Sequence, residues 1–417
     1  MKRAAAQVGA AAIVVAVAGY VAQFLAARWL GPADYTRFAV FWSVLFVVVG
    51  CLGGISQEVI RVSRVAKLRL DAGLAPGPDT GPTPRIGAVA VSMGAATAVT
   101  VFVSGLFWGP SVFGADWRPS LALLSIAAVL VGGALAVGGM VAGLARWRTY
   151  SLLVILEGVA RLVFFVIAAL LLPNVIGFSI AAVLAFVPQI LIALLWSPLR
   201  RESFSIRSDT AVAESTTRIL RAMAASGLSG VLVIGWPALL STAANANPRG
   251  STAVSLGVLI LLVTLTRAPL MVPLTSFQNA LVARFTGLGL HERRRWVAVG
   301  VGMILAASAL LSGLAALFGP PLLPLVFGDR YHADAGIIAA LTAATAGLGI
   351  ITLTGVAAIT AARHSLYLAG WSAAIAAALL VLFLAPVPFE WAAVLALAIG
   401  PLIGATVQLA ALRIPRS

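Results

Sequence analysis

Long apolar runs alternate along this chain with short polar breaks. About twelve runs stand out, roughly 6–28, 37–58, 86–108, 120–144, 150–172, 177–197, 219–242, 252–276, 296–318, 335–360, 366–386 and 391–412. Each is close to the ~20 residues that carry a helix across a bilayer. The pattern predicts an all-α polytopic membrane protein with about 12 transmembrane helices. The longest polar stretch, residues 198–218, divides the runs six and six. An N-terminal bundle over 1–200, a cytoplasmic linker over 201–218 and a C-terminal bundle over 219–417 are therefore expected, as in a duplicated transporter. Internal similarity is short: SQEVIR at Ser56–Arg61 and SFQNALVAR at Ser276–Arg284 each end a run with Ser, Gln, a second polar residue and Arg. Residues 70–84 are rich in Pro and Gly and read as a flexible linker.

Composition agrees with the pattern. The chain is 61% hydrophobic and 10% charged, with a mean hydropathy of +1.06; a soluble domain carries about 25% charged residues. The net charge of +15 raises the question of nucleic acid. Nucleic-acid binding needs the basic residues on one solvated face, and here they sit in short runs between apolar segments. Of the 28 Lys and Arg, 21 fall on one set of loops and five (Arg28, Arg37, Arg118, Arg249, Arg330) on the other. The positive-inside rule then places both termini in the cytoplasm, in the bacterial inner (plasma) membrane. Met1-Lys2-Arg3 opens the chain like a signal peptide, but the apolar run continues to Ala27 and reads as a retained first helix. Trp29, Trp108, Trp117, Trp147, Trp196, Trp296 and Trp391 fall at the ends of runs, as an interfacial belt requires.

Cys51 stands alone and inside a run, so neither a disulfide framework nor a cysteine metal site is expected. His291, His332 and His364 are dispersed. The chain contains no GxxxxGK[ST], HExxH or GxSxG pattern. It reads as a protein that is not an enzyme and needs no cofactor, and any transport is powered by a gradient, a potential or a partner.

The remaining chemistry lies in polar residues within the runs. Gly250–Ala283 contains one charge, Arg267. A guanidinium at that depth costs several kcal/mol and normally faces a cavity or a partner. Pro269 and Pro273 follow, and each removes a backbone donor, so a broken helix beside the charge is expected. The alternative is an arginine that snorkels or pairs structurally with a neighbouring helix. In the fifth run, Glu157 and Arg161 stand four apart on one helix face. They form either an internal ion pair or a cavity-facing cation tuned by its carboxylate. Gln57, Gln278 and Asn279 add polar groups near the inner ends of runs 2 and 8. Glu58 and Arg61 are candidates for a cytoplasmic mouth, with a plain positive-inside anchor as the other reading of Arg61.

Three segments resemble one family. Arg28-Trp29-Leu30-Gly31-Pro32-Ala33-Asp34-Tyr35 resembles the R-x-L-G-P-x-x-Y-G turn of Wzx-type polysaccharide flippases, with Thr36 where the family usually has Gly. Gly143-Leu144-Ala145-Arg146-Trp147-Arg148-Thr149-Tyr150 resembles its span 4–5 junction. Gly319-Pro320-Pro321-Leu322-Leu323-Pro324-Leu325-Val326-Phe327-Gly328 resembles its G-P-x-L-L-x-L-x-F-G segment. The resemblance implies two six-helix bundles around a central cavity that opens alternately to either side. It implies flipping of a polyprenyl-diphosphate-linked glycan to the outer leaflet. A monomer among membrane lipids, with glycan-assembly enzymes as partners, is expected. The substrate-contacting residues would be Arg267, Arg161, Glu157, Arg61, Gln57, Gln278 and Asn279. A multidrug-type antiporter and a non-transporting scaffold for glycan assembly are the competing readings.

Overall fold

The computed structural model describes residues 2–73, 84–195, 206–246, 254–286, 289–361 and 363–410. Among these, every named element is helical. Ten stretches are long and apolar enough to cross a membrane. Two of them, of 65 and 58 residues, far exceed the ~20 needed for one crossing. The first coincides with α1 (Lys2–Asp71), which turns sharply at Gly31. The second holds α2 (Ile86–Phe113), a 3-10 turn at Gly114–Asp116, and α3 (Trp117–Gly143). The protein is an all-α, multi-pass membrane protein.

Its helices form two compact units, residues 1–29 with 40–230, and residues 30–39 with 231–417. In unit 1, α4 (Trp147–Leu171), α5 (Val175–Leu184) and α6 (Val187–Leu195) follow α3. One core joins Leu52, Ile55 and Val59 of α1, Val89 of α2, Val131 of α3 and Phe186. The helix α7 (Val212–Ile234) starts in this unit and ends in the other.

Unit 2 contains α8 (Trp236–Ala246), α9 (Leu256–Thr286), α10 (Leu290–Phe327), α11 (Ala335–Thr360), α12 (His364–Leu384) and α13 (Phe389–Leu409). The innermost helix is α11, packed against α9, α10 and α13. Hydroxyls tie these helices together. Ser308 and Ser312 of α10 donate to carbonyls of α11, Ser312 to Ala339 at 2.7 Å. Thr354 donates to Gln408 Oε1 at 2.6 Å, and Gln408 Nε2 donates to the Tyr367 carbonyl at 3.4 Å. Apolar hydrocarbon gives helices little reason to associate, so such bonds and close packing hold the bundle. The outward face of α10 carries exposed Val299, Met303, Leu310 and Leu317, as suits a lipid solvent.

Three features depart from the sequence expectation. The expected break at Pro269 and Pro273 is absent, and α9 is helical through both prolines. The tenth helix runs on through Pro320, Pro321 and Pro324 to Phe327, past the expected end at 318. Proline already has a helical φ, and although its ring crowds the carbonyl four residues back it need not end the helix, which resumes after each of these prolines. The interruptions fall elsewhere, at Ala185–Phe186 and at Gly235. Pro188 and Pro237 lie just beyond them. Each lacks the N–H that would bond four residues back, which leaves the carbonyls of Leu184 and Val233 without their helical donors.

The Gly31 turn has a backbone only glycine adopts easily, φ 71°. It delivers residues 30–39 into unit 2, where the Pro32 carbonyl accepts from Thr36 Oγ1 at 2.9 Å. A side chain at Gly257 would begin 2.0 Å from that carbonyl, so α9 reaches the turn only because Gly257 has none. Gly257→Leu is expected to destabilise the fold by about 1–3 kcal/mol through overpacking. Gly302→Ala, at a site with nothing within 4 Å, should leave thermal unfolding in detergent unchanged. Equal melting temperatures for both variants would remove the close approach from the account.

Candidate functional site

Unit 1 encloses an ion pair. Arg161 stands 14 residues after the start of α4 and 10 before its end, near the middle of a crossing. Its Nη2 donates to Glu157 Oε1. Glu157 Oε2 accepts from Gln189 Nε2 at 2.9 Å, and the same nitrogen donates to the Leu153 carbonyl at 3.2 Å. The guanidinium carbon lies 5.9 Å from the Trp42 ring, 5.3 Å from Phe46 and 5.8 Å from Phe186. Arg161 is 2% exposed, and its Nε lacks a hydrogen-bond partner. Of the two readings left open for this pair, the geometry is that of the internal one. The expected cavity-facing cation is instead walled in by three rings and a carboxylate. Cation–π contacts contribute about 2 kcal/mol when desolvated, and the carboxylate cancels the charge.

A second cluster lies in the second arm of α1, ten residues before its end. Arg61 Nε and Nη2 donate to Glu58 at 2.9 and 2.7 Å, and Nη1 and Nη2 donate to Asp209 at 2.7 Å each. Arg61 is therefore neither an open mouth residue nor a simple anchor in this conformation. It fastens residue 209 to α1. Beside it, residues 206–208 bridge to residues 84–86, with Ile86 N donating to the Ile206 carbonyl at 3.1 Å and Ser208 N to the Pro84 carbonyl at 2.8 Å. Gln57 Nε2 donates to Ser226 Oγ at 3.3 Å, a bond between helices. Asp209 gave no sequence signal, because a lone loop carboxylate is ordinary.

In unit 2, Arg267 is half-buried on α9, 11 residues from its start and 19 from its end. Its Nη1 donates to the Val233 carbonyl, which is the one Pro237 leaves without a helical donor. Tyr35, fully buried, is hydrogen-bonded to Thr264 and lies within electrostatic reach of Tyr331 and Arg267. The neighbour expected for Arg267 is thus a broken helix, but the break belongs to the preceding span. Pro237 was the available signal. Gln278 and Asn279 lie on α9, with side chains outside the described residues. Glu390, absent from the sequence reading, is buried in the first turn of α13, and its Oε2 has no hydrogen-bond partner.

Comparison with solved structures shows which fold this is. The chain aligns with the inward-facing conformation of a multidrug resistance MATE family transporter of the MOP superfamily at a TM-score of 0.70, with 14% identity, over 96% of this chain and 97% of that one. The outward-facing conformation of such a transporter gives 0.64 at 15% identity, over 99% and 95%. A MOP superfamily transporter from Pyrococcus furiosus gives 0.63 at 16% identity, over 99% and 95%. The fold is the MOP-superfamily transporter fold. No family model matches the chain. In sequence it is 35% identical over 411 residues to "Uncharacterized protein Rv1510" of Mycobacterium tuberculosis, covering 98% of this chain and 91% of that protein. It is 36% identical over the same length, with the same coverage, to "Uncharacterized protein Rv3630" of that bacterium and "Uncharacterized protein Mb3654" of Mycobacterium bovis. The chain belongs to the family of these mycobacterial proteins.

Two expectations follow from the geometry. Arg61 holds the Asp209 carboxyl below its ordinary value of 3.8. A depressed carboxyl contributes stability above its unfolded pKa and loses it as pH falls through the folded one. Protection of residues 206–210 against hydrogen exchange, taken relative to the intrinsic rate at each pH, should therefore be unchanged between about pH 8 and 5, and Arg61→Ala should lower it at every pH in that range. Arg267→Ala should destabilise by about 1–3 kcal/mol, the cost of stranding a buried carbonyl. Pro237→Ala restores a helical donor to Val233, so the double variant should recover part of that loss. Strictly additive effects in detergent unfolding would deny the coupling.

Proposed function

We propose that this chain is an alternating-access transporter that flips a polyprenyl-diphosphate-linked saccharide across the inner membrane, with both termini in the cytoplasm. The supporting observation is the position of Arg267, half-buried near the middle of the long apolar helix α9, where a cation is costly and marks a substrate path. A lipid-linked diphosphate is anionic, and arginine is the side chain that binds phosphate in bidentate fashion. Arg161 serves as a structural cation in this scheme, cancelled by Glu157. One protein of this fold, the Pyrococcus transporter, is described as having a binding pocket of reverse polarity that suggests a different function. The lipid tail stays in the bilayer while the head crosses, and one charge moving through 100 mV supplies about 2.3 kcal/mol.

A second reading, export of a small cationic molecule, draws support from the multidrug transporters that share the fold. It predicts acidic residues where substrate binds. Within α4, however, the carboxylate Glu157 is already committed to Arg161 and Gln189.

Arg267→Gln separates structure from charge, because glutamine keeps an N–H for Val233. In proteoliposomes loaded with labelled lipid-linked saccharide, this variant should fold normally and flip at least tenfold more slowly, about the 1.4 kcal/mol or more expected of a lost charge-assisted bond. Arg267→Lys should retain part of the rate. Normal flipping by Arg267→Gln would end the anion reading. Efflux of a cationic dye by wild-type vesicles, without saccharide flipping, would establish the second one.

A further inference from the structure

At one corner of unit 2, α9 gives way to α10. The chain there reads His291-Glu292-Arg293-Arg294-Arg295-Trp296, and no charged residue follows until Asp329. The boundary between charge and hydrocarbon therefore falls at Trp296, a residue type that settles at headgroup level. Trp296 is exposed and opens a stripe of exposed apolar side chains, Val299, Met303, Leu310 and Leu317. Their spacing puts them on one face of α10, and in a membrane that face meets acyl chains.

Arg293 fixes this corner. It is buried near the start of α10, and its Nη2 donates to the Phe285 carbonyl of α9 at 3.1 Å. Arg284, in the last turn of α9, stands over Trp296 with its guanidinium carbon 5.1 Å from the ring centroid. The ring covers one face of the guanidinium and leaves the N–H groups along its edge free to donate. Arg284 and Arg295 are both exposed. Among the described residues, neither has a hydrogen bond or an ion pair, and Glu292, one turn before Trp296, pairs with neither. Arg294, beside them, is already engaged.

We propose that this corner of unit 2 binds an anionic glycerophospholipid, with its phosphate against Arg284 and Arg295 and an acyl chain along Val299 and Met303. Arginines at the membrane surface strengthen binding to anionic headgroups. The occupant is a lipid because the cations sit where charge meets hydrocarbon, and the apolar stripe of α10 continues directly from the ring that carries Arg284. A plain topological anchor needs the charges alone; here one of them is stacked on a ring and held there by the Arg293 clasp. The site shares no residue with the proposed substrate contacts and does not depend on what the protein transports.

The test is native mass spectrometry of the full chain in a neutral detergent, titrated separately with phosphatidylglycerol, phosphatidylcholine, polyprenyl phosphate and inorganic phosphate. Phosphatidylglycerol should bind about twenty-fivefold tighter than phosphatidylcholine, two arginines each contributing roughly fivefold. The Arg284→Ala/Arg295→Ala double variant should lose that preference, and Arg284→Gln/Arg295→Gln serves if the first folds poorly. Arg118→Ala should keep it, although Arg118 is also stacked on a ring, 5.2 Å from that of Trp117 in unit 1. Trp296→Leu keeps the charges and the apolar face but removes the ring, and should cut the preference about threefold. Equal binding of the two phospholipids by wild type, or an unchanged preference in both double variants, overturns the headgroup assignment. Full preference in Trp296→Leu overturns the role of the stack. Tighter binding of polyprenyl phosphate than of phosphatidylglycerol, or saturation by inorganic phosphate over the same concentrations, overturns the glycerophospholipid as the occupant.

Discussion

A backbone carbonyl that loses its helical donor inside a membrane cannot turn to water. That constraint is met directly in unit 2. Pro188 and Pro237 each interrupt a span that would otherwise be continuous, and an intramembrane arginine stands beside each interruption. In unit 2, Arg267 donates directly to the Val233 carbonyl. In unit 1, Phe186 at the break supplies one of the rings around Arg161. The arginines and the broken helices explain one another. A guanidinium is costly in hydrocarbon and so needs fixed partners, and an interrupted helix offers them.

The two arginines nevertheless end in different electrostatic states. Arg161 has a carboxylate four residues away on its own helix, three aromatic faces and almost no exposure. Its charge is cancelled locally, and the pair works like a polar rivet joining α4 to α6 through Gln189. Arg267 is half-buried and bonded to a neutral carbonyl, with the buried hydroxyl of Tyr35 nearby.

Much of the architecture was legible in the sequence because lipid permits so few solutions. Apolar runs of about twenty residues and the Gly31-Pro32 turn were enough to give helices and their order. The helix breaks were misplaced. Pro269 and Pro273 looked disruptive, yet α9 absorbs both; Pro188 and Pro237 passed unnoticed inside apolar runs and are the ones at interruptions. Proline content alone cannot distinguish these cases, since the outcome depends on whether neighbours can satisfy the freed carbonyl. The partners of Arg61 and Gln57 were equally invisible. Asp209 is 148 residues from Arg61 and Ser226 is 169 from Gln57, and no periodicity links positions so far apart.

The placement of residues 30–39 adds a further constraint. They leave the first arm of α1 through a backbone that only glycine tolerates well, then pack Tyr35 beside Thr264 and Tyr331 in unit 2. The chain is thus stitched from unit 1 into unit 2 and back before residue 40, and α7 crosses again between Gly230 and Val231. That second crossing is immediately followed by the Val233 carbonyl that Arg267 holds and by the Gly235 interruption. The Val233 carbonyl near the end of α7 is held by a side-chain donor of α9. Arg267 consequently holds two positions at once. Under the proposed function it is the cation that meets the anionic head, and it is bonded to the Val233 carbonyl near the end of α7. An anion that drew the guanidinium away from Val233 would return that carbonyl to an unsatisfied state, so binding and the geometry of α7 are coupled through one hydrogen bond.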